Sequence, residues 1–275
     1  MIIITHTAPE QTQRLVGRLN TGDFDCYIHV DKKVDIETHR DMFGMEHVYF
    51  VEERFDVQWG GYSAIEATLS CIRKMVASGI KYDHVSLLSG QDYPIKNAEH
   101  ISRFFAAHPG KQFMLYKNME TEWQIAKARV EKYHFTDFNF RGKHRLEDVV
   151  NFLTPKRKFP IDMELFGKET YWSITGECAA YVANFIGRRP KLQHYLKYTW
   201  GADEFLFHSI ILNSPFKDTV VNKNYRYMVW PPGEPRPKVL TTADLPDLLA
   251  SDALFARKFD MAVDGGVLDL IDAHT

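Results

Sequence analysis

An α/β fold built around a largely parallel sheet is what this sequence predicts, on three observations. Strand-like and helix-like stretches alternate from the N-terminus. The strand candidates are apolar enough to be buried. The 275 residues, 45% of them apolar, are enough for one large domain with a substantial core.

The first strand is the β-branched run Ile2 to Thr5. Pro9 then opens a helix whose apolar positions include Leu15, Val16 and Leu19, closed by Asn20 and Gly22. "FDCYIHVD" reads as a second, buried strand and "HVYFVE" as a third. "SAIEATLSCIRKMVASG" predicts a helix with Ser63 as N-cap, Glu66 completing a capping box, and Gly79 as terminator. "YDHVSLLSG" is a fourth strand and "NAEHISRFFAAHPG" another helix.

From about Asn118 to Glu169 the chain is charged, aromatic and weakly periodic, which suits a substrate-facing elaboration more than a linker. "ETYWSITGECAAYVANFIG" then reads as strand, turn and helix. "YTWGADEFLFHSIILNSPF" predicts an amphipathic helix through Phe205, Leu206, Ile210 and Ile211, stopped by Asn213-Ser214-Pro215. Two carboxylates, Asp203 and Glu204, stand at its entry. Acids there ordinarily cap the helix and complement its dipole.

Lys plus Arg (34) against Asp plus Glu (36) leaves a net charge of −2 with no charged run, which argues against general affinity for nucleic acid. "MIIITHTAPE" lacks the apolar core and basic flank of a signal peptide, and no stretch approaches the roughly 20 apolar residues of a membrane span. Three scattered cysteines, Cys26, Cys71 and Cys178, fit neither a disulfide framework nor a zinc site and read as reduced core thiols. A cytoplasmic protein is the simplest expectation.

In such sheets ligands bind beyond the carboxyl ends of the strands. The candidate loops are "HVDKK", "VQWGGYS" and "SGQDYPIK". A phosphate-cradling glycine motif is absent, and Gly60-Gly61 reads as a tight turn. The one Asp-x-Asp, Asp23-Phe24-Asp25, precedes a strand instead of following one, which is a poor place for a metal. His29 and Asp31 fall on one face of a strand, His29 as a core histidine or half of a metal pair, Asp31 as a ligand or a nucleoside contact. Asp203 and Glu204 are adjacent and so point about 100° apart on a helix, too divergent to flank one glycosidic bond as a hydrolase pair would.

Seven stretches in order, "YIHVDKK", "VQWGGYSAIEA", "LLSGQDYPIK", "SITGECAAYV", "ADEFLFHSIILNSPF", "YRYMVW" and "LFARKFD", resemble the Core-2/I-branching N-acetylglucosaminyltransferase family, which also contains peptide O-xylosyltransferases. The resemblance runs from about Ile3 to Asp260, without the cysteine framework of the animal enzymes. It implies a single nucleotide-sugar transferase domain of the A type over residues 1–275, with a nucleotide-binding half to about residue 115 and an acceptor-binding, catalytic half beyond.

What the resemblance implies chemically is inverting, metal-independent transfer, with no cofactor. Glu204 would be the base that takes the acceptor hydroxyl proton, leaving Asp203 as the cap. Asp31 would contact the nucleoside and Trp59 the uracil. Lys258 would neutralise the departing diphosphate together with Arg236 or Lys238. Arg236 is preferred because a guanidinium grips a diphosphate at two points. Glu120 and Trp230 would bind the acceptor sugar. The expected activity is transfer of N-acetylglucosamine from its UDP form to a glycan or glycolipid by a bacterial-type enzyme, soluble or peripherally bound at the inner face of a membrane. UDP-xylose-dependent transfer is the alternative, as is a non-catalytic sugar-nucleotide or glycan-binding protein of the same fold.

Overall fold

The predicted strands and helices appear in the predicted order, with further short elements between them, in a computed structural model that describes residues 1–234 and 236–275. The first part of the chain runs β1 (Ile2–Thr5), α1 (Pro9–Leu19), β2 (Cys26–Val30), β3 (Val48–Phe50), α2 (Tyr62–Ala77), β4 (Val85–Ser89), β5 (Asp92–Pro94) and α3 (Ala98–Ala107). Next come β6 (Gln112–Asn118), α4 (Lys127–Glu131), α5 (Lys143–Leu153), β7 (Phe166–Ile174), α6 (Gly176–Gly187), α7 (Pro190–Leu196) and α8 (Leu206–Leu212). The remainder is β8 (Val220–Asn222), β9 (Arg226–Tyr227), α9 (Leu245–Ala250), β10 (Phe255–Arg257), α10 (Met261–Asp264) and α11 (Gly266–His274).

The fold is mixed α/β and mostly parallel, as predicted, and it divides into two compact units. The first comprises Met1–Glu52, Ser86–Pro109 and Asn224–Thr275. Its main strands lie in the order β3-β2-β1-β4 and all pair in parallel, which is why each is an unbroken apolar run. Leu15, Val16 and Leu19 of α1 are buried with Ile2, Ile28 and Leu88 of the strands. This unit also holds a small sheet, β5-β10-β9, in a region expected to be loop: Asp92 to Pro94 of "SGQDYPIK" pairs antiparallel with Phe255 to Arg257.

The second unit comprises Glu53–Val85 and Gly110–Lys223. Here β6 pairs antiparallel with β7 and parallel with β8. Trp172 of β7 stacks on Phe207 of α8, with ring centroids 5.0 Å apart. The amphipathic helix expected from Phe205 is instead α8, in which every residue from Leu206 to Leu212 is buried. A helix buried all round has no polar face to expose.

The capping box expected at Ser63 is absent. Helix α2 begins at Tyr62, and its free N–H groups are met from far along the chain by Asp137. That carboxylate accepts from the Tyr62 amide at 2.7 Å, the Ser63 amide at 3.3 Å and the Ser63 hydroxyl at 2.6 Å. Gly61 makes the approach possible, because a Cβ there would lie 2.0 Å from an Asp137 carboxylate oxygen. The glycine pair is thus a docking point as well as a turn. All three cysteines are buried free thiols, and burial pushes Cys71 and Cys178 up to about 12. Among the described residues, no helix is long and apolar enough to cross a membrane.

Candidate active site

The chain reaches Glu204 through a sharp local change of direction. Gly201 takes φ +64°, Ala202–Glu204 form one 3-10 turn, and Phe205 separates that turn from α8. The two acids therefore sit before the helix, not in its first turn. Asp203 is not a cap: its carboxylate turns inward and accepts from the Thr170 hydroxyl of β7 at 2.9 Å. Burial raises its pKa. Capping fails as a reading because the turn's N-cap is Gly201 and the helix's is Phe205, neither with a side-chain bond.

Glu204 points the other way. Its Oε2 lies 2.7 Å from Nη1 of Arg129, and its side chain keeps 25% of its surface exposed. Burial pushes its pKa up to about 7, against the pull of Arg129 and with the help of the Asp203 charge next door. A carboxylate poised near neutrality with some access to solvent suits a general base.

Arg129 is the organising residue of this cluster, and nothing in the sequence singled it out. Its guanidinium lies between two indoles, 4.8 Å from the Trp123 ring centroid and 4.4 Å from that of Trp200. It also donates to the Gly201 carbonyl at 3.2 Å. A Cβ on Gly201 would stand 2.3 Å from Nη1, so glycine is required there both for the left-handed backbone and for room.

Trp59 extends the cluster. It is 68% exposed and meets Trp200 edge to face at 5.8 Å. Gly60 (φ +72°) lies against the Trp200 indole, and its carbonyl accepts the Gly201 amide at 2.7 Å. Trp59, Trp200, Arg129 and Glu204 thus form one continuous chain of contacts within the second unit. Glu120, in the same unit, is exposed and paired with Lys127.

The other predicted residues belong to the first unit. Asp31 follows β2 and is buried; its Oδ1 accepts from the Lys33 amide at 2.9 Å and its Oδ2 lies 3.3 Å from the Lys33 ammonium. Nearby, His6 is held below its ordinary pKa by burial, opposed by Asp31 and reinforced by Lys33 and Arg257. His29 is fully buried within β2, the core position.

Lys258 is half-buried. Its backbone amide donates to the Lys238 carbonyl and its carbonyl accepts the Leu240 amide, which lays the 238–240 segment beside it. The Lys238 ammonium is 2.6 Å from Asp244, while Arg236 is exposed and Trp230 is half-exposed. Asp92 is fully buried, 2.6 Å from Nη1 of Arg226 and 3.7 Å from Nη1 of Arg257. Asp25 is bound to His47 at 2.7 Å. Among the described residues no three His, Cys, Asp or Glu side chains are grouped so as to hold a metal ion.

Residues 1–248 match the family model described as Core-2/I-Branching enzyme. The chain is 25% identical over 292 residues to xylosyltransferase oxt of Drosophila pseudoobscura pseudoobscura, which takes in 98% of this chain and 32% of that protein. It is 24% identical over 300 residues to xylosyltransferase 2 of Homo sapiens, taking in 100% of this chain and 33% of that protein. The chain spans about a third of the length of these relatives. A crystal structure of mouse xyloside xylosyltransferase 1 in its apo form covers 93% of this chain and 96% of its own, at 9% identity and a TM-score of 0.35, too loose a likeness to carry an argument.

Proposed function

Since the chain belongs to the Core-2/I-branching enzyme family, we propose that it is a glycosyltransferase that moves a sugar from a UDP donor to an acceptor hydroxyl with inversion. The observation that carries this reading is Glu204: a carboxylate raised to about 7, oriented by Arg129, with part of its surface open. In the proposed reaction Glu204 takes the hydroxyl proton as the acceptor oxygen bonds to the anomeric carbon, and the bond from that carbon to UDP breaks. The departing charge goes to Lys258 and Arg236; Lys238, already committed to Asp244, is the less available cation. Asp31 and Trp59 are assigned to the nucleoside, Glu120 and Trp230 to the acceptor.

N-acetylglucosamine is the donor sugar expected from the branching enzymes of the family. Xylose is favoured by the relatives in hand, both of which are xylosyltransferases by name. The acceptor is a glycan or glycolipid, met by a protein in contact with a membrane surface. The deciding experiment offers UDP-N-acetylglucosamine and UDP-xylose to the parent and to Glu204→Gln, following UDP release with and without candidate acceptors. One donor should be turned over by the parent, and the variant should bind it yet transfer about 10² to 10⁴ more slowly. A variant within a few-fold of the parent removes Glu204 as the base.

A further inference from the structure

Helix α5 is attached to its unit by its polar side. The Glu147 carboxylate accepts the Phe135 amide at 3.0 Å and lies 3.3 Å from His134, while Asn151, one turn on, clasps the Tyr133 backbone through both its oxygen (2.7 Å) and its nitrogen (2.8 Å). No residue of this helix is buried. Four of its five apolar side chains face outward, Leu146 45% exposed, Val149 52%, Leu153 73% and Phe152 87%, while the fifth, Val150, is half-buried on the attached side. Their spacing places them along one continuous stripe. An ordinary surface helix is mounted the other way round, and exposed apolar stripes rimmed by charge mark interaction sites.

The charge around the stripe says what kind. Residues 139–160 contain six basic residues (Arg141, Lys143, Arg145, Lys156, Arg157, Lys158) and two acids (Glu147, Asp148), a local +4 in a chain of net −2. Arg157 is turned inward onto the carbonyls of Tyr195 and Tyr198, and Lys156 pairs with Glu131, but Arg141, Arg145 and Lys158 are exposed. Outward Phe and Leu between exposed cations form the profile of a helix that lies in a bilayer interface, with apolar side chains among the acyl chains and cations against anionic headgroups.

We propose that α5 is the membrane-contacting element of this protein, and that it docks on an anionic lipid surface. The inference gives the proposed peripheral location a structural basis and is independent of the transfer chemistry. A protein partner would be served by the apolar stripe alone; the cations at both ends favour lipid.

The test is cosedimentation of the purified chain with sucrose-loaded vesicles of phosphatidylcholine alone or with about one-third phosphatidylglycerol. Binding should require the anionic lipid and weaken with salt. The double variant Phe152→Ser/Leu153→Ser should lose it more than tenfold. Arg141→Gln/Arg145→Gln should lower it roughly fivefold for each charge removed. All four side chains are exposed, so thermal melting and hydrolysis of a soluble UDP-sugar should match the parent. Absence of binding to either vesicle, or unchanged binding by the double serine variant, overturns the proposal. A dimer in light scattering that the serine pair dissociates also overturns it, by showing the stripe to be a self-interface. Lost donor hydrolysis with intact vesicle binding would count against the transfer reading alone.

Discussion

Nη1 of Arg129 lies 2.7 Å from the Glu204 carboxylate while the same guanidinium is stacked between Trp123 and Trp200. The indoles hold the cation where it can orient the acid. Its charge moderates a pKa that burial and Asp203 push upward. Removing it by Arg129→Met should therefore raise the Glu204 pKa further, by about one unit or more. The rising limb of the pH–rate profile should move to higher pH by that amount. Arg129→Lys keeps a cation and should shift it less, although it loses the planar stack. An unmoved limb in Arg129→Met would mean that the pair does not tune the base.

The pH dependence of the parent has a definite sign. With Glu204 near 7, transfer should climb as pH rises through neutrality and level off above it, because the base must be ionised. Stability should run the opposite way. The folded pKa lies above the unfolded value, so the stabilising contribution is present in full below the unfolded value, near 4.5, and is lost as pH rises through about 7. The loss is on the order of 3 kcal/mol before any discount for partial exposure. Chemical denaturation between about pH 5 and 8 should show this slope in the parent and a shallower one in Glu204→Gln. Equal slopes would place the titration elsewhere.

Asp137 serves three donors at the start of α2, so Asp137→Ala should destabilise the protein by about 1–2 kcal/mol, as loss of a helix cap does. Asp137→Asn keeps an acceptor and should cost less. Urea unfolding reads both directly. A change below about 0.3 kcal/mol in the alanine variant would mean that water replaces the carboxylate without loss.

What the sequence made legible were the features carried by local pattern. The apolar runs of β1 to β4 announce buried parallel strands, and Pro9 marks the start of α1, because those signals lie within a few residues of the element they define. Glu204 and Asp31 are site candidates on the strength of ordered motifs alone. Arg129, Trp200 and Asp137 are not, since each acts on a residue brought near only by folding: Arg129 on Glu204, Trp200 on Gly60, Asp137 on Tyr62. β5, β9 and β10 escaped for the same reason, being two or three residues long and defined only by long-range pairing. Asp203 was misread as a cap because two acids before an apolar run look alike whether the helix starts at once or after a break at Phe205. Helix α5 lies in the stretch that reads as weakly periodic, and its outward orientation depends on where Glu147 and Asn151 find partners.

Metal independence is the remaining prediction, and it rests on what the acids are already doing. Asp92 is held by Arg226, Asp25 by His47 and Asp31 by Lys33, which leaves these carboxylates engaged with protein donors. A divalent cation bridging a diphosphate needs hard oxygen ligands it can claim. Fixed cations offer another way to stabilise the leaving group, at no cost of reorganisation when the fold already places them. The Lys258 backbone is held on both sides, its amide donating to the Lys238 carbonyl and its carbonyl accepting the Leu240 amide, so its side chain starts from an anchored stretch of main chain. Transfer should accordingly persist in excess chelator, and Lys258→Ala should lower it by roughly 10² or more, while Lys258→Arg should recover part of the loss. UDP affinity measured by calorimetry separates a binding defect from a chemical one. Activity abolished by chelator and restored by Mn²⁺ would reverse the assignment and make a metal, not Lys258, the partner of the departing diphosphate.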